Sequence, residues 1–358
     1  MTENNVRGKI PAELFRVMPD LRWMSVSNNG LYGPIPSDIG GCTQLKYLSF
    51  ANNFFTGELP TEVFVPTIDR LYLDGNYFVG SIPVGLPKMT NLISLSIYNN
   101  FFSGSIPDHI SNLVNLTALY LDVNHLTGTI PASMGQLTKL EDLRMRHNKF
   151  TGPIPSALGD LTKLEILYLD RNSLTGSVPG ALGKLTRLSE FHAYRNKLDG
   201  VLPTEMGRMK ELDSLYLDNN RIVGGIPSEF GMMNDLDEVY LHKNYMNGTI
   251  PTEIGNMENL RNFRIYTNGM VGTIPTEIGN AFKLEDIYVQ DNMFTGTLPS
   301  QMKELNRLAR LRIYWNKLTG DAPKGVCDLM DYKLTEFKSD CAGDNPKYQC
   351  SCCTACFA

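Results

Sequence analysis

The sequence predicts an α/β solenoid of about 13–14 coils, each close to 24 residues and each carrying one short strand of a shared parallel sheet. Three observations predict it. Asparagine recurs at Asn4, Asn29, Asn53 and Asn76, then from Asn100 at every 24th residue through Asn124, Asn148, Asn172, Asn196, Asn220, Asn244, Asn268 and Asn292 to Asn316. Each of these has Gly four residues later and Pro seven residues later, from Gly8 and Pro11 to Gly320 and Pro323. Before each Asn, leucines alternate with polar or aromatic residues, as Leu167 and Leu169 do with Tyr168 and Asp170. A period of two marks a short strand with one face buried.

Each position in the unit has a physical task. The strand leucines and those of the preceding turn supply a core shared between neighbouring coils, since one coil alone cannot bury its apolar face. The asparagine turns the chain out of the strand, and its amide satisfies backbone groups of the bend and of the adjacent coil. An unpaired buried group there would cost about 1–3 kcal/mol. Gly permits the tight turn that follows, and Ile-Pro fixes an extended flanking segment. Two spacings depart from 24: 25 between Asn4 and Asn29, and 23 between Asn53 and Asn76, where "VFVPTIDRL" replaces the usual "LGxLTxL". A local change of curvature is expected at these coils.

The unit from Leu161 to Gly183, L-x-x-L-x-x-L-x-L-x-x-N-x-L-x-G-x-I-P-x-x-L-G in general form, resembles the plant-type leucine-rich repeat, and the resemblance covers nearly the whole chain. It implies a right-handed superhelix with a concave parallel β-sheet, short 3₁₀ turns on the convex side, and a second short sheet along the Ile-Pro flank. It is specific for fold and only weakly so for function. Proteins of this pattern include receptor-kinase ectodomains, which bind peptides, hormones or co-receptors, and inhibitors of wall-degrading polygalacturonases.

Residues 1–323 form the solenoid on this reading, and 324–358 a cysteine-rich cap. Six of the seven cysteines, Cys327, Cys341, Cys350, Cys352, Cys353 and Cys356, follow the last repeat. An even cluster there is expected to form three disulfides closing the end of the core, with 15 pairings open. A zinc site on Cys353 and Cys356 is the rival, with no second such pair and no nearby histidine to complete it. The tail resembles the cysteine-rich ends of algal leucine-rich repeat proteins. Cys42 occupies a leucine slot and is expected to be buried. Disulfides point to the secretory pathway, and the sequons at Asn115 and Asn247 agree with it. Asn4 has no full strand before it, so the natural protein is expected to extend upstream.

Because the core positions are fixed, recognition has to use the exposed strand positions. Four residues before the Asn stand Tyr72, Tyr120, Arg144, Tyr168, His192, Tyr216, Tyr240, Arg264, Tyr288 and Arg312. Two residues before it stand Tyr98, Arg146, Asp170, Tyr194, His242, Tyr266 and Tyr314, and at the rim immediately before it His147, Arg171, Arg195 and Trp315. Ten of sixteen tyrosines fall in these columns, and Tyr and Arg are the usual anchors of binding hot spots. At Asn148 the tyrosines give way to Arg144, Arg146 and His147, a basic patch suited to a carboxylate. The competing reading is that Tyr and Arg stack on each other and charges pair along the column, leaving the decoration self-satisfied.

A net charge of −5 argues against a nucleic-acid partner, which would need a basic face. No apolar run approaches the roughly 18–20 residues of a membrane span. Neither a metalloprotease, phosphate-loop, serine-hydrolase nor kinase motif occurs, so no enzyme activity, cofactor or metal is expected. The function expected is extracellular recognition of a protein or peptide, with a glycan as a further class, by a receptor-like cell-surface or secreted protein. Alternatives are a structural or adhesive wall or matrix protein, a secreted inhibitor of wall-degrading enzymes, and an intracellular scaffold, the last disfavoured by the cysteines.

Overall fold

In the computed structural model, residues 4–83, 85–343 and 346–357 are described. They form two compact units, Met1–Leu174 and Thr175–Ala358.

In the first unit, seven three-residue strands lie parallel, one per coil: Trp23–Ser25, Tyr47–Ser49, Arg70–Tyr72, Ser94–Ser96, Ala118–Tyr120, Asp142–Arg144 and Ile166–Tyr168. Equivalent residues pair across them, Leu119 opposite Leu143 and Leu143 opposite Leu167. This is the registered stacking that the repeat demands. In the second unit Glu190–His192, Ser214–Tyr216, Glu238–Tyr240, Asn262–Arg264, Asp286–Tyr288 and Arg310–Arg312 stack in the same way.

One coil shows how the sequence builds the rest. Pro155, extended at φ −64° and ψ 131°, opens a 3₁₀ turn, Ser156–Asp160, which ends where Leu161 N–H reaches the Leu158 carbonyl at 3.2 Å. Leu158, Leu161, Leu164, Leu167, Leu169 and Leu174 are all fully buried. Burying each leucine contributes roughly 1.5–3 kcal/mol. The two irregular spacings are absorbed in this turn. The long coil forms a short α-helix, Glu13–Val17, and the short coil has only a three-residue turn, Thr61–Val63.

The asparagines form a ladder of side-chain-to-backbone bonds. Asn124 donates to the carbonyls of Leu121 (3.2 Å) and Asp122 (3.1 Å) in its own bend and to Ile97 (3.0 Å) in the preceding coil. Its Oδ1 accepts the Phe102 N–H at 3.0 Å. Asn244 in the second unit bonds Leu217, Leu241 and Ile222 in the same way. One side chain thus closes its own bend and ties it to the coil before, the structural role expected of it.

The second sheet on the flank is present in pieces. Arg7–Gly8, Gly30–Gly33, Phe54–Glu58 and Tyr77–Val79 form a four-stranded parallel sheet in the first unit. Among the described residues of the second unit, the flank strands are Thr295–Gly296 with Lys317–Leu318, and Gly320–Asp321 with Tyr348–Gln349. Where it is best formed, in the first unit, the flank reads Phe-Phe-Thr and Tyr-Phe-Val, aromatic and β-branched residues that favour strands.

The cysteine-rich segment extends the stack. A helix, Lys324–Cys327, takes the place of the 3₁₀ turn, and Glu336–Ser339 adds a parallel strand beside Arg310–Arg312, with Phe337 opposite Leu311. Ala355–Cys356 pairs in turn with that strand. Val326, Leu329, Leu334, Phe337 and Tyr348 are buried and cover the core. The three bridges are Cys327–Cys352, Cys341–Cys356 and Cys350–Cys353. Cys353 and Cys356 are thus in separate disulfides, while Cys42 is a buried free thiol, pushed up in pKa by burial. No helix among the described residues is long and apolar enough to cross a membrane.

Candidate recognition surface

The strand-face columns exist as expected, and a third column lies beside them. Six residues before each Asn the strands also present a side chain outward, because residues two apart share a face. That column holds Asp142, Glu190, Glu238 and Asp286, an acid at every second coil. Sequence reading passed over it, although the same period of two that located the other columns reaches it. These acids engage the neighbouring bases and phenols. Asp142 takes two bonds from Arg144, each 2.9 Å, and one of 3.0 Å from the Tyr120 hydroxyl. Asp286, fully buried, takes Arg264 at 3.0 Å and Arg310 at 2.5 Å. Tyr216 donates to Glu238, and Arg312 to Glu336.

Stacking completes the arrangement. In the first unit the Arg144 guanidinium lies between the Tyr120 and Tyr168 rings, 5.2 and 5.1 Å from their centroids. In the second, His192, Tyr216 and Tyr240 stack at 4.2 and 4.5 Å with planes 5° apart. Arg264 then sits 4.6 Å from Tyr240 and 5.0 Å from Tyr288, and Arg312 is 4.2 Å from Tyr288. The neighbour-stacking anticipated as the competing reading is therefore realised.

This changes how individual residues stand. Tyr168, Asp170 and Tyr288 were expected at the exposed face, but the columns bury them, leaving Tyr168 9% and Tyr288 6% exposed. Arg144 is engaged by Asp142 and two rings, whereas Arg146 is exposed, 5.5 Å from the Tyr168 centroid. Tyr72, Tyr120, His192, Tyr194, Tyr216, Tyr240, His242, Arg264, Tyr266, Arg312 and Tyr314 are half-buried, and Tyr98 is exposed. Tyr314 stacks on Phe357 at 4.2 Å, and the Trp315 N–H bonds Asp340 at 2.6 Å, so this pair also docks the cap.

The rim residues have a backbone task that sequence reading missed. His147, Arg171, Arg195 and Trp315 have φ of 54°, 54°, 52° and 55°. The left-handed region is costly for side chains other than Asn and Gly. Asn28, Asn52, Asn99 and Asn219 fill the same slot, and Gly75 does so once. The Asn-Asn pairs at the end of several strands were the available signal.

Burial sets the electrostatics. Asp122 is buried, and although its Oδ1 accepts the Arg146 N–H at 2.9 Å, burial pushes its carboxyl up to about 7, opposed by Arg146. His242, stacked on Tyr266 at 4.3 Å and 3.4 Å from Asp218, is pushed down to about 4 by burial and by Lys243 and Arg264. Burial, then Asp142, raises Tyr120 to about 12. For Asp122 the folded chain holds the proton more tightly than the unfolded chain, whose carboxyl ionises near 3.8. Stability from this group is therefore present below about pH 4 and lost as pH rises towards about 7. Asp122→Asn is expected to remove that part of the pH dependence. Its melting temperature should gain on wild type between pH 4.5 and 8 by a few degrees, roughly 1–2 kcal/mol. Parallel melting curves at the two pH values would contradict the assignment.

Known proteins place this geometry. The family described as leucine rich repeat matches residues 66–126 and 162–222, and a second leucine-rich repeat family matches 20–42 and 139–161. The coils are leucine-rich repeats.

Receptor-like protein kinase 7 of Arabidopsis thaliana is 37% identical over 60 residues, 17% of this chain and 6% of that protein. Among solved structures, the plant peptide hormone receptor RGFR1 in complex with RGF2 is 30% identical with a TM-score of 0.86, covering 94% of this chain and 59% of that one. The Arabidopsis receptor kinase HAESA ectodomain, in complex with an extended IDA peptide hormone, is 31% identical with a TM-score of 0.85, covering 94% and 57%. The chain thus spans between half and three fifths of these receptor chains, and its fold is that of plant leucine-rich repeat ectodomains. Of the two repeat sequons, the Asn115 amide donates to the Thr90 carbonyl at 2.9 Å and accepts from Lys139 at 2.7 Å. Asn247 accepts the Gly224 N–H at 3.0 Å.

Proposed function

We propose that this chain is the recognition part of a receptor-like cell-surface or secreted extracellular protein, and that it binds an extended peptide or protein segment on the strand face of its repeats. The division of labour is that residues 1–323 present the surface and residues 324–358 close the stack. The observation that carries the reading is the set of pre-stacked, half-buried aromatic and Arg side chains on that face, such as Tyr120 and Arg144 beside Arg146. Rings already locked against each other lose little rotamer freedom when a partner docks, which favours binding. Support also comes from the peptide-hormone receptor ectodomains similar to it over nearly its whole length.

Arg146 is the cation best placed for a ligand carboxylate, because Arg144 is spent on Asp142. The remaining sequence-expected residues, His147 and Arg171 at the rim among them, line the approach. Of the two sequons, Asn247 is the better glycan acceptor, since a glycan on Asn115 would displace the bond to Thr90.

The test is selection of a random dodecapeptide library, displayed on phage, against the purified chain. Enriched peptides are then titrated by calorimetry. Arg146→Ser is expected to weaken binding at least tenfold, about 1.4 kcal/mol, with an unchanged melting temperature. Tyr120→Ser, in the same unit, should weaken it comparably. A library that enriches nothing, or affinities indifferent to both substitutions, would remove the proposal.

A further inference from the structure

A second surface lies on the flank of the first unit, away from the strand face. The residue immediately after each Asn is Phe54, Tyr77, Phe101 and His125 in four consecutive coils. The three aromatic side chains are 52%, 47% and 44% exposed. Phe54 and Tyr77 stack with centroids 6.1 Å apart and Tyr77 and Phe101 at 6.0 Å, while His125 lies tilted against Phe101 at 5.8 Å. Tyr32, paired beside Phe54, and Val79, on the strand of Tyr77, widen the exposed apolar area. Farther along this column stand Lys149, Ser173, Lys197 and Arg221. The aromatic run is therefore a local feature that the repeat does not require.

Contiguous exposed apolar surface of this kind marks an interaction site. The rings form one side of a groove of about 640 Å³. Its other side is the rim, where the exposed amides of Asn52 and Asn99 can meet a peptide backbone. At its far end stand His125, His147 and Lys149, and no carboxylate lines it among the described residues. At the first of these coils the strand face carries Ser49 and Ala51, with Ser49 hydrogen-bonded to Ser27 of the preceding coil at 2.5 Å.

We infer that this groove binds an extended peptide segment of a partner protein, with apolar side chains at alternate positions followed by carboxylates. The spacing selects an extended segment. Side chains two apart in a strand repeat at about 6.6–6.8 Å, close to the ring-to-ring interval along the row. Successive apolar side chains therefore lie on successive rings, with the backbone turned to the amides. Charge sets the direction. The acidic end lies over Lys149 and the two imidazoles, in a groove with no carboxylate to repel it. The groove shares the rim residue His147 with the approach to Arg146 but does not include Arg146, so the two proposals fail separately.

The experiment uses two displayed libraries of nine-residue segments, one ending in fixed Asp-Asp and the other in fixed Asn-Asn. Both are selected on the wild-type chain and on Phe54→Ser/Tyr77→Ser/Phe101→Ser. The wild type is expected to recover the Asp-Asp library at least tenfold over the Asn-Asn library, with aliphatic or aromatic residues at alternating positions. The ring variant should lose that recovery while keeping the wild-type melting temperature, and Arg146→Ser should leave it intact. Lys149→Ser should bring the two libraries to equal recovery. Equal recovery of the libraries on the wild type, or of the Asp-Asp library on the ring variant, overturns the inference. A wild-type dimer in sedimentation velocity that the ring variant abolishes also overturns it, by showing a second copy as the occupant.

Discussion

Replacing Asn148 by Ala is expected to reduce the unfolding free energy by about 1–3 kcal/mol. Its amide donates to the carbonyls of Leu121 at 2.9 Å and of Met145 and Arg146 at 3.3 Å, and its Oδ1 accepts the Leu126 N–H at 3.0 Å. The Ala variant leaves the Leu126 N–H without a partner where water does not reach, at about 1–3 kcal/mol, while the Leu121 carbonyl keeps only its bond from Asn124. The loss falls on the interface between two coils. In a repeat stack the coupling of nearest neighbours holds the array together, so cooperativity should suffer as well as stability. Urea unfolding followed by circular dichroism is the measurement. A lower midpoint with a broadened or split transition is the expected result. Asn148→Asp keeps the acceptor but sets a buried carboxylate against the carbonyls of Leu121, Met145 and Arg146, so at neutral pH it should destabilise at least as much as Ala. A midpoint unchanged in the Ala variant would mean that the ladder does not join the coils.

The second large effect is at the cysteine-rich end. Cys327 and Cys352 close a loop with a sequence separation of 25. By the chain-entropy relation such a closure is worth about 3.5 kcal/mol. The bridge ties the helix Lys324–Cys327 to the segment that carries the last paired strand, Ala355–Cys356. In Cys327→Ser/Cys352→Ser the helix that covers the core with Val326 is no longer bridged to the last segment, and only Cys341–Cys356 still ties that segment to the strand of Phe337. The expected outcome is a fall in melting temperature of roughly 5–12 °C, together with proteolysis that begins after residue 323 and leaves the repeats intact. The pair Cys350→Ser/Cys353→Ser closes a separation of only 3 and should have a much smaller effect. If both double variants melted together, loop closure would not be what stabilises this end.

The contrast between these two regions explains what could be read in advance. The ladder was legible in full. A fixed phase of Asn, Gly and Pro over fourteen coils leaves one way to stack them, and the bonds of Asn124, Asn148 and Asn244 follow from it. The cap was legible only in kind. Six cysteines imply three bridges, but their pairing depends on which sulfurs the folded chain brings together, as it does Cys327 and Cys352 across 25 residues.

The strand face divides in the same way. Which side chains point outward is a matter of local geometry, and a period of two assigns Tyr120, Arg144 and Tyr168 to one column without any knowledge of the fold. Whether they are free for a partner is a property of neighbours from other coils. Arg144 carries the same charge in the sequence whether or not Asp142 and two tyrosine rings enclose it. Asp122 reads as an ordinary carboxylate until burial raises it to about 7. The sequence by itself determined the repeat, its register, the core and the outward columns, because those depend on short-range periodicity. Only the tertiary structure decided which outward groups pair, which are covered, and where apolar rings stay exposed, because those depend on side chains about 24 residues apart in the chain being set side by side.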